Sequence, residues 1–231
     1  MIMKTQHKST LLLIGAFVLI LALVSGCVDV PTEGPTPTPL RSEYRFIHAA
    51  TDMGNVSLSV QGKAAGSFDF KGSIPHADYG AGTKELILSN GDYLLISLST
   101  DYRGTFVLLN KEGPDRTYLK LTERRIFDSP TIVDTVSVGA IRPVHCSADA
   151  GAADIYADGP GGSFSWKNVA YRGIGAYKKV APGDYTVTVK AAGGTDALYQ
   201  TTVAVGTERN TVLVMGSAKG GTLTAVGVKD N

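Results

Sequence analysis

The chain carries one pattern twice. Tyr44-Arg-Phe-Ile-His-Ala-Ala-Thr-Asp52 and Ile141-Arg-Pro-Val-His-Cys-Ser-Ala-Asp149 set an arginine, a histidine and an aspartate at the same spacing, as Arg45, His48 and Asp52 and as Arg142, His145 and Asp149. Further pairs follow in the same order. Gly66-Ser-Phe-Asp-Phe-Lys71 matches Gly162-Ser-Phe-Ser-Trp-Lys167, Tyr79 matches Tyr171, Gly91-Asp-Tyr93 matches Gly183-Asp-Tyr185, and Arg116-Thr-Tyr-Leu119 matches Asn210-Thr-Val-Leu213. A tandem duplication restricts the 231 residues to two copies of one small fold. Each copy has roughly 95 residues, close to the ~100 of an immunoglobulin-type sandwich. In this alignment the offset between copies drifts from 97 to 92 residues by Tyr79, which places extra residues of the first copy around Gly72 to Ala77, where a hairpin loop can absorb them.

Strand periodicity fills both copies. Val56-Ser-Leu-Ser-Val60 and Tyr185-Thr-Val-Thr-Val189 alternate with period two, while Thr211 to Met215 is a shorter, more continuously apolar run. No segment after Cys27 carries an amphipathic helical stripe. The 27 glycines, about 12% of the chain against a typical ~7%, join Asn and Asp in punctuating short strands. The expected class is all-β, with one sandwich over residues 44–127, a linker over 128–138 and a second sandwich over 139–231. Each copy is expected to hold its own core, so that residues 139–231 fold alone.

The N-terminus reads as an address. Met1 to Ser9 carries Lys4 and Lys8 with no acid, and Leu11 to Val24 is an unbroken apolar run. Fourteen residues fall short of the roughly 20 a spanning helix needs, which suits a secretory signal over 1–26. Val24-Ser-Gly26-Cys27 resembles the bacterial lipoprotein cleavage signal, with cleavage between Gly26 and Cys27. That resemblance implies a diacylglyceryl group on Cys27, acylation of its new amine with a palmitate-type chain, and membrane attachment at the bacterial cell envelope. Val28 is not an acidic inner-membrane retention signal, which favours the outer membrane. Residues 27–43 contain Pro31, Pro35, Pro37 and Pro39 among threonines and read as a tether of roughly 50 Å at ~3.1 Å per residue. With 22 basic against 21 acidic residues, the chain lacks the positive excess of a nucleic-acid binder.

Arg142-x-x-His145-x-Ser147-x-Asp149, Ala153-Asp-Ile-Tyr-Ala-Asp-Gly159, Val169-Ala-Tyr171 and Ala181-Pro-Gly-Asp-Tyr-Thr-Val187 resemble the bacterial family called domain of unknown function 4397. The second copy matches along its whole length. The first matches less well, with Asn90-Gly-Asp-Tyr93 in place of the proline-glycine turn and Ser57 where the second copy has Asp154. The resemblance implies an immunoglobulin-like or transthyretin-like Greek-key sandwich and brings no settled activity.

The candidate chemistry is sparse. His48 and His145 sit at equivalent places of two separate sandwiches, so they are expected to serve each strand end by bonding to the turn at Asp52 or Asp149 rather than to share a metal ion. His145, Cys146, Ser147 and Asp149 lie together in sequence, but neighbours in a strand point to opposite faces, so no catalytic set is expected. Cys146 aligns with Ala49 and reads as a small buried thiol. Asp149, Asp154 and Asp158 lack the spacing of a calcium loop and read as turn residues. Tyr93 and Tyr185 are expected to brace sandwich corners through their hydroxyls. Phe164, Trp166, Tyr171 and Tyr177 are the one cluster that could form a ligand platform, although their period suits a core. No cofactor or metal is expected. The expected role is a non-enzymatic envelope module with structural or adhesion-type interactions and an unidentified protein or glycan partner. The alternative is a glycan or peptide receptor using the aromatic loops of the second copy.

Overall fold

Alternating apolar and polar residues build strands throughout both copies. The computed structural model of the protein describes residues 40–125 and 138–230. The signal segment with Gly26 and Cys27, the tether up to residue 39 and nearly all of the expected linker lie outside the described residues. The first copy forms β1 (Glu43–His48), β2 (Val56–Val60), β3 (Lys63–Phe68), β4 (Ser73–Asp78), β5 (Gly82–Leu88), β6 (Tyr93–Leu98), β7 (Tyr102–Glu112) and β8 (Asp115–Arg125). The second forms β9 (Gly139–His145), β10 (Ala153–Gly159), β11 (Gly162–Val169), β12 (Lys178–Val180), β13 (Gly183–Ala191), β14 (Ala197–Val205), β15 (Arg209–Met215) and β16 (Thr224–Asp230).

Topology repeats as the sequence does. The first eight strands make sheets of order β4-β1-β7-β8 and β3-β2-β5-β6, and the last eight make β12-β9-β15-β16 and β11-β10-β13-β14. The first strand of each copy runs parallel to the seventh, β1 with β7 and β9 with β15. The described residues are all-β, with two four-stranded sheets in each of two repeated sandwich-like units.

Strand pairing also settles which residues correspond, and here the sequence alignment needs correction beyond the second strand. Leu58 pairs with Leu88 as Ile155 pairs with Val189, so β13 is the counterpart of β5 and Tyr185 that of Lys84. Tyr93 instead begins β6. Asn210 to Leu213 lies on β15, the counterpart of β7, while Arg116 to Leu119 lies on β8. Tyr171 corresponds to Phe70, because Lys71 N bonds to the His48 carbonyl and Arg172 N to that of His145. The β2–β3 hairpin closes at Val60–Lys63, whereas β10–β11 runs on past the equivalent Ala157–Phe164 pair to Gly159–Gly162. The offset therefore grows, and the extra residues belong to the second copy. An Asp-Tyr pair opens β6, β7 and β13, which is why Gly91-Asp-Tyr93 aligns one strand out of step with Gly183-Asp-Tyr185.

Among the described residues, three cores hold the fold. Tyr44, Phe46, Leu58, Leu86, Ile96 and Phe106 lie in the first sandwich, and Ile155, Trp166, Tyr185, Val187 and Val214 lie in the second. The third forms between repeats, from Ile47, Ala49, Val107, Leu109, Leu119 and Leu121 of one and Val144, Cys146, Leu213 and Met215 of the other. The sheets containing β1 and β9 are thus buried on both faces. That accounts for the continuous apolar runs of Phe106 to Leu109 and Val212 to Met215, since a strand covered on both sides loses its polar alternation. Leu40–Asn231 is one compact unit.

Candidate functional site

The duplicated arginines do not serve the turns near them in sequence. Arg45 and Arg142 lie on the β1 and β9 faces opposite Phe46 and His145, and each reaches a threonine on the parallel neighbour strand. Arg45 Nε donates to Thr105 Oγ1 at 2.6 Å, and Arg142 Nε donates to Thr211 Oγ1 at 2.9 Å. Each threonine in turn donates to a buried acid, Thr105 to Glu123 and Thr211 to Asp230, the latter at 2.6 Å. Glu123 and Asp230 hold equivalent positions on β8 and β16.

This polar centre crosses between repeats. Arg45 Nη2 donates to Glu123 at 3.0 Å and to Asp230 at 3.2 Å, while Nη1 donates to the Lys229 carbonyl at 2.7 Å. His76 Nε2 lies 3.2 Å from Glu123 Oε2 without hydrogen-bond alignment. Tyr177 donates its hydroxyl to Asp230, and its ring lies 4.4 Å from the Arg142 guanidinium. Burial holds the Asp230 carboxyl above its ordinary range, helped by the nearby Glu123 charge. Burial would raise Glu123 as well, but His76 and the Arg45 charge bring it below the usual value. Burial also pushes the Tyr177 hydroxyl up. With both acids buried, the centre ties the packing of the two repeats together.

The two histidines perform the same local task in each copy. His48 Nε2 bonds to the Gly54 carbonyl at 3.1 Å and His145 Nε2 to that of Gly151 at 2.7 Å, so each imidazole pins the loop after its strand. Both rings are fully buried, and burial holds both below the ordinary histidine value. The aspartates fasten a different loop. Asp52 accepts from Lys111 N at 2.9 Å and from Arg116 at 2.5 Å. Asp149 accepts from Ser217 Oγ at 2.5 Å, Ala218 N at 2.9 Å and Lys219 N at 3.1 Å, and the Ser217 bond leads in bringing it down to about 2. Ser147 links the two tasks in the second copy, giving its N–H to His145 Nδ1 and its hydroxyl to Asp149. Cys146 is buried against the other repeat, and burial pushes its thiol up to about 12.

The four aromatics do not converge. Trp166 is buried in the second core and donates Nε1–H to the Ala176 carbonyl at 2.8 Å. Phe164 packs on the same core, Tyr171 packs on the core between repeats, and Tyr177 belongs to the polar centre. Trp166 alone of the four lines a shallow groove of about 330 Å³, with Asn168, Ile174 and Gly175 among its neighbours. Tyr185 braces a corner as expected, donating to the Ala181 carbonyl at 2.9 Å and accepting from Gly161 N at 3.0 Å. A Cβ at Gly161 would lie 2.6 Å from that hydroxyl, which explains a glycine there. Tyr93 does not brace a corner; it is 51% exposed. Among the described residues, no group of three or more His, Cys, Asp or Glu is placed to hold a metal ion.

Sequence reasoning missed Thr105, Glu123 and His76 and the counterparts Thr211 and Asp230, and it singled out Tyr177 only as an aromatic of the ligand platform. The recurring arginine was the visible signal. Apart from the threonine, its partners differ in residue type between copies, and they lie on strands whose correspondence only pairing reveals.

Fold and site together define a duplicated β-sandwich protein whose repeats are joined through a common core and a shared polar centre. Residues 139–231, the second repeat, match the family described as Domain of unknown function (DUF4397). Among solved structures, the chain is similar to the Bacillus anthracis TIE protein, at 12% identity over 77% of this chain and 34% of that one, with a TM-score of 0.25. It is also similar to a leucine-rich repeat protein from Bacteroides thetaiotaomicron VPI-5482, at 10% identity over 78% and 26%, with a TM-score of 0.21. The chain thus spans about a third or less of either protein. No curated protein matches it.

Proposed function

We propose that this is an exported, lipid-anchored, non-enzymatic protein of the bacterial cell envelope, in which two fused sandwiches act as one stiff structural or adhesion-type interaction module. The observation that carries this reading is the use of the duplicated polar residues. Arg45 joins repeat to repeat, Arg142 holds the Thr211–Asp230 side of the same centre, and the histidines and aspartates fasten loops, so the residues best suited to chemistry are engaged in architecture. The apolar run ending at Gly26-Cys27 supports export and anchoring, and the outer membrane is the favoured destination. Metabolic palmitate labelling tests the anchor: wild type should incorporate label and Cys27→Ser should not. Equal labelling of the two would refute it.

The groove beside Trp166 supports a second reading, a small glycan or peptide site on the second repeat. A glycan and peptide array should then detect binding that Ile174→Asp removes. Ile174 is 48% exposed at the groove, so the change alters its lining without entering a core.

A further inference from the structure

The outer sheets of the two repeats share a fold but not a surface. On β5 and β6, the outward side chains of Ile87, Tyr93 and Leu95 are 43%, 51% and 54% exposed. Ile87 pairs with Tyr93, and Leu95 pairs with Glu85 two residues away on the same face, so the three form one contiguous patch. Register places Thr188, Gln200 and Thr202 at the corresponding positions of β13 and β14. The fold therefore accepts polar residues at all three places. Contiguous exposed apolar residues that no core requires mark a contact surface.

The edge of β6 and the start of the folded chain define what kind of contact it is. The outer edge of β6 is closed to another strand, because Lys120 Nζ donates to the Ser97 carbonyl at 2.7 Å and Tyr118 donates to that of Leu95 at 3.4 Å. The side-chain face is what remains. The folded chain begins beside the same hairpin: the Leu40 carbonyl accepts from Ala81 N at 2.9 Å and the Arg41 carbonyl from Asp101 N at 2.8 Å, next to the Gly82–Leu98 pair that ends β5 and β6. Leu40 itself is 61% exposed. Twelve residues separate it from Cys27, a reach of about 37 Å at ~3.1 Å per residue. From Gly82 the patch extends about 17 Å along β5 at ~3.3 Å per residue, well within that reach.

We infer that the Ile87–Tyr93–Leu95 face of the first repeat lies against the lipid surface to which Cys27 is attached. This rests on the lipoprotein reading above. Leucine and isoleucine enter the boundary of the acyl region, and the tyrosine ring sits at headgroup level, where its hydroxyl donates to Glu85 of the same face at 3.4 Å. Three side chains bind a bilayer weakly by themselves, but a short tether raises their effective concentration at the surface enough to orient the body. The second repeat, farther along the chain and polar at the same positions, then faces away.

The test attaches an environment-sensitive fluorophore at Leu95→Cys or, as the matched control, at Thr202→Cys; buried Cys146 stays unlabelled. Two forms of the mature chain are compared on phosphatidylcholine vesicles. One is the lipidated protein purified from membranes. The other begins at Val28 and is held through an N-terminal polyhistidine tag on nickel-chelating lipid. The inference expects a blue shift and quenching by brominated lipid at position 95 but not at 202, and loss of both effects on adding Ile87→Thr and Tyr93→Gln. A fluorophore at 95 that stays in water in both forms overturns it. So does a blue shift that grows with protein concentration without vesicles, which would make a second copy the occupant. If palmitate labelling fails while the chelated form still docks, the anchor reading is wrong and the lipid affinity of the face stands.

Discussion

Leu109→Ala is a sharp probe of how the repeats depend on one another. Leu109 belongs to the first repeat, is fully buried, and packs in the core between the repeats. Truncating a buried leucine costs about 2–5 kcal/mol, the lost transfer energy plus the cavity left behind. If the body of Leu40–Asn231 unfolds as one unit, a loss of about 3 kcal/mol lowers its melting temperature by about 6–12 °C, given ~2–4 °C per kcal/mol at this size. The chain has a single tryptophan, Trp166, buried in the core of the second repeat. Its fluorescence therefore reports the repeat that was not mutated. The shared core predicts that the Trp166 transition falls together with the far-ultraviolet circular dichroism transition. An unmoved Trp166 midpoint, with circular dichroism splitting into two steps, would refute the coupling and restore two independent domains. The exposed change Leu95→Ala should leave both signals in place.

Three other outcomes follow from the polar contacts. Arg45→Ala leaves Glu123 and Asp230 buried without their common partner and should cost about 3–5 kcal/mol in urea unfolding, whereas a change under 1 kcal/mol would show that the centre contributes little. His145→Ala removes the bond to Gly151 and should cost about 1–3 kcal/mol. Because burial holds His48 and His145 below the ordinary value, the unfolded chain takes up protons more readily than the folded one as pH drops past ~6.5. Stability is thus full above that pH and declines below it, less steeply in His145→Ala. Asp149, held at about 2 against an ordinary 3.8, contributes stability that is complete above 3.8 and is lost as pH falls towards 2. Asp149→Ala should release the Ser217–Lys219 loop to limited proteolysis at neutral pH, and an unchanged cleavage pattern would contradict the assigned contacts.

By itself, the sequence determined that the chain is duplicated and all-β, because Arg45, His48 and Asp52 recur as Arg142, His145 and Asp149 and because period-two runs have no helical rival. It also determined that Arg45 and His48 point to opposite faces, since strand geometry admits nothing else, and that Cys146 is small and buried, since Ala49 holds its place. Tertiary structure alone decided what those faces meet. A strand face covered by its own partner sheet and one covered by a second repeat carry the same apolar residues, so Ile47, Val107 and Leu213 gave no sign of which surface they join. The trace was the pair of unbroken apolar runs, Phe106 to Leu109 and Val212 to Met215. Register beyond the second strand was likewise hidden, because an Asp-Tyr pair opens β6, β7 and β13 alike, and only backbone pairing separates Tyr93 from Tyr185. The polar centre depended on both. Glu123 and Asp230 differ in type and lie more than 70 residues from their arginines, so their partnership exists only once β1 lies beside β7, β9 beside β15, and the two repeats close on one another.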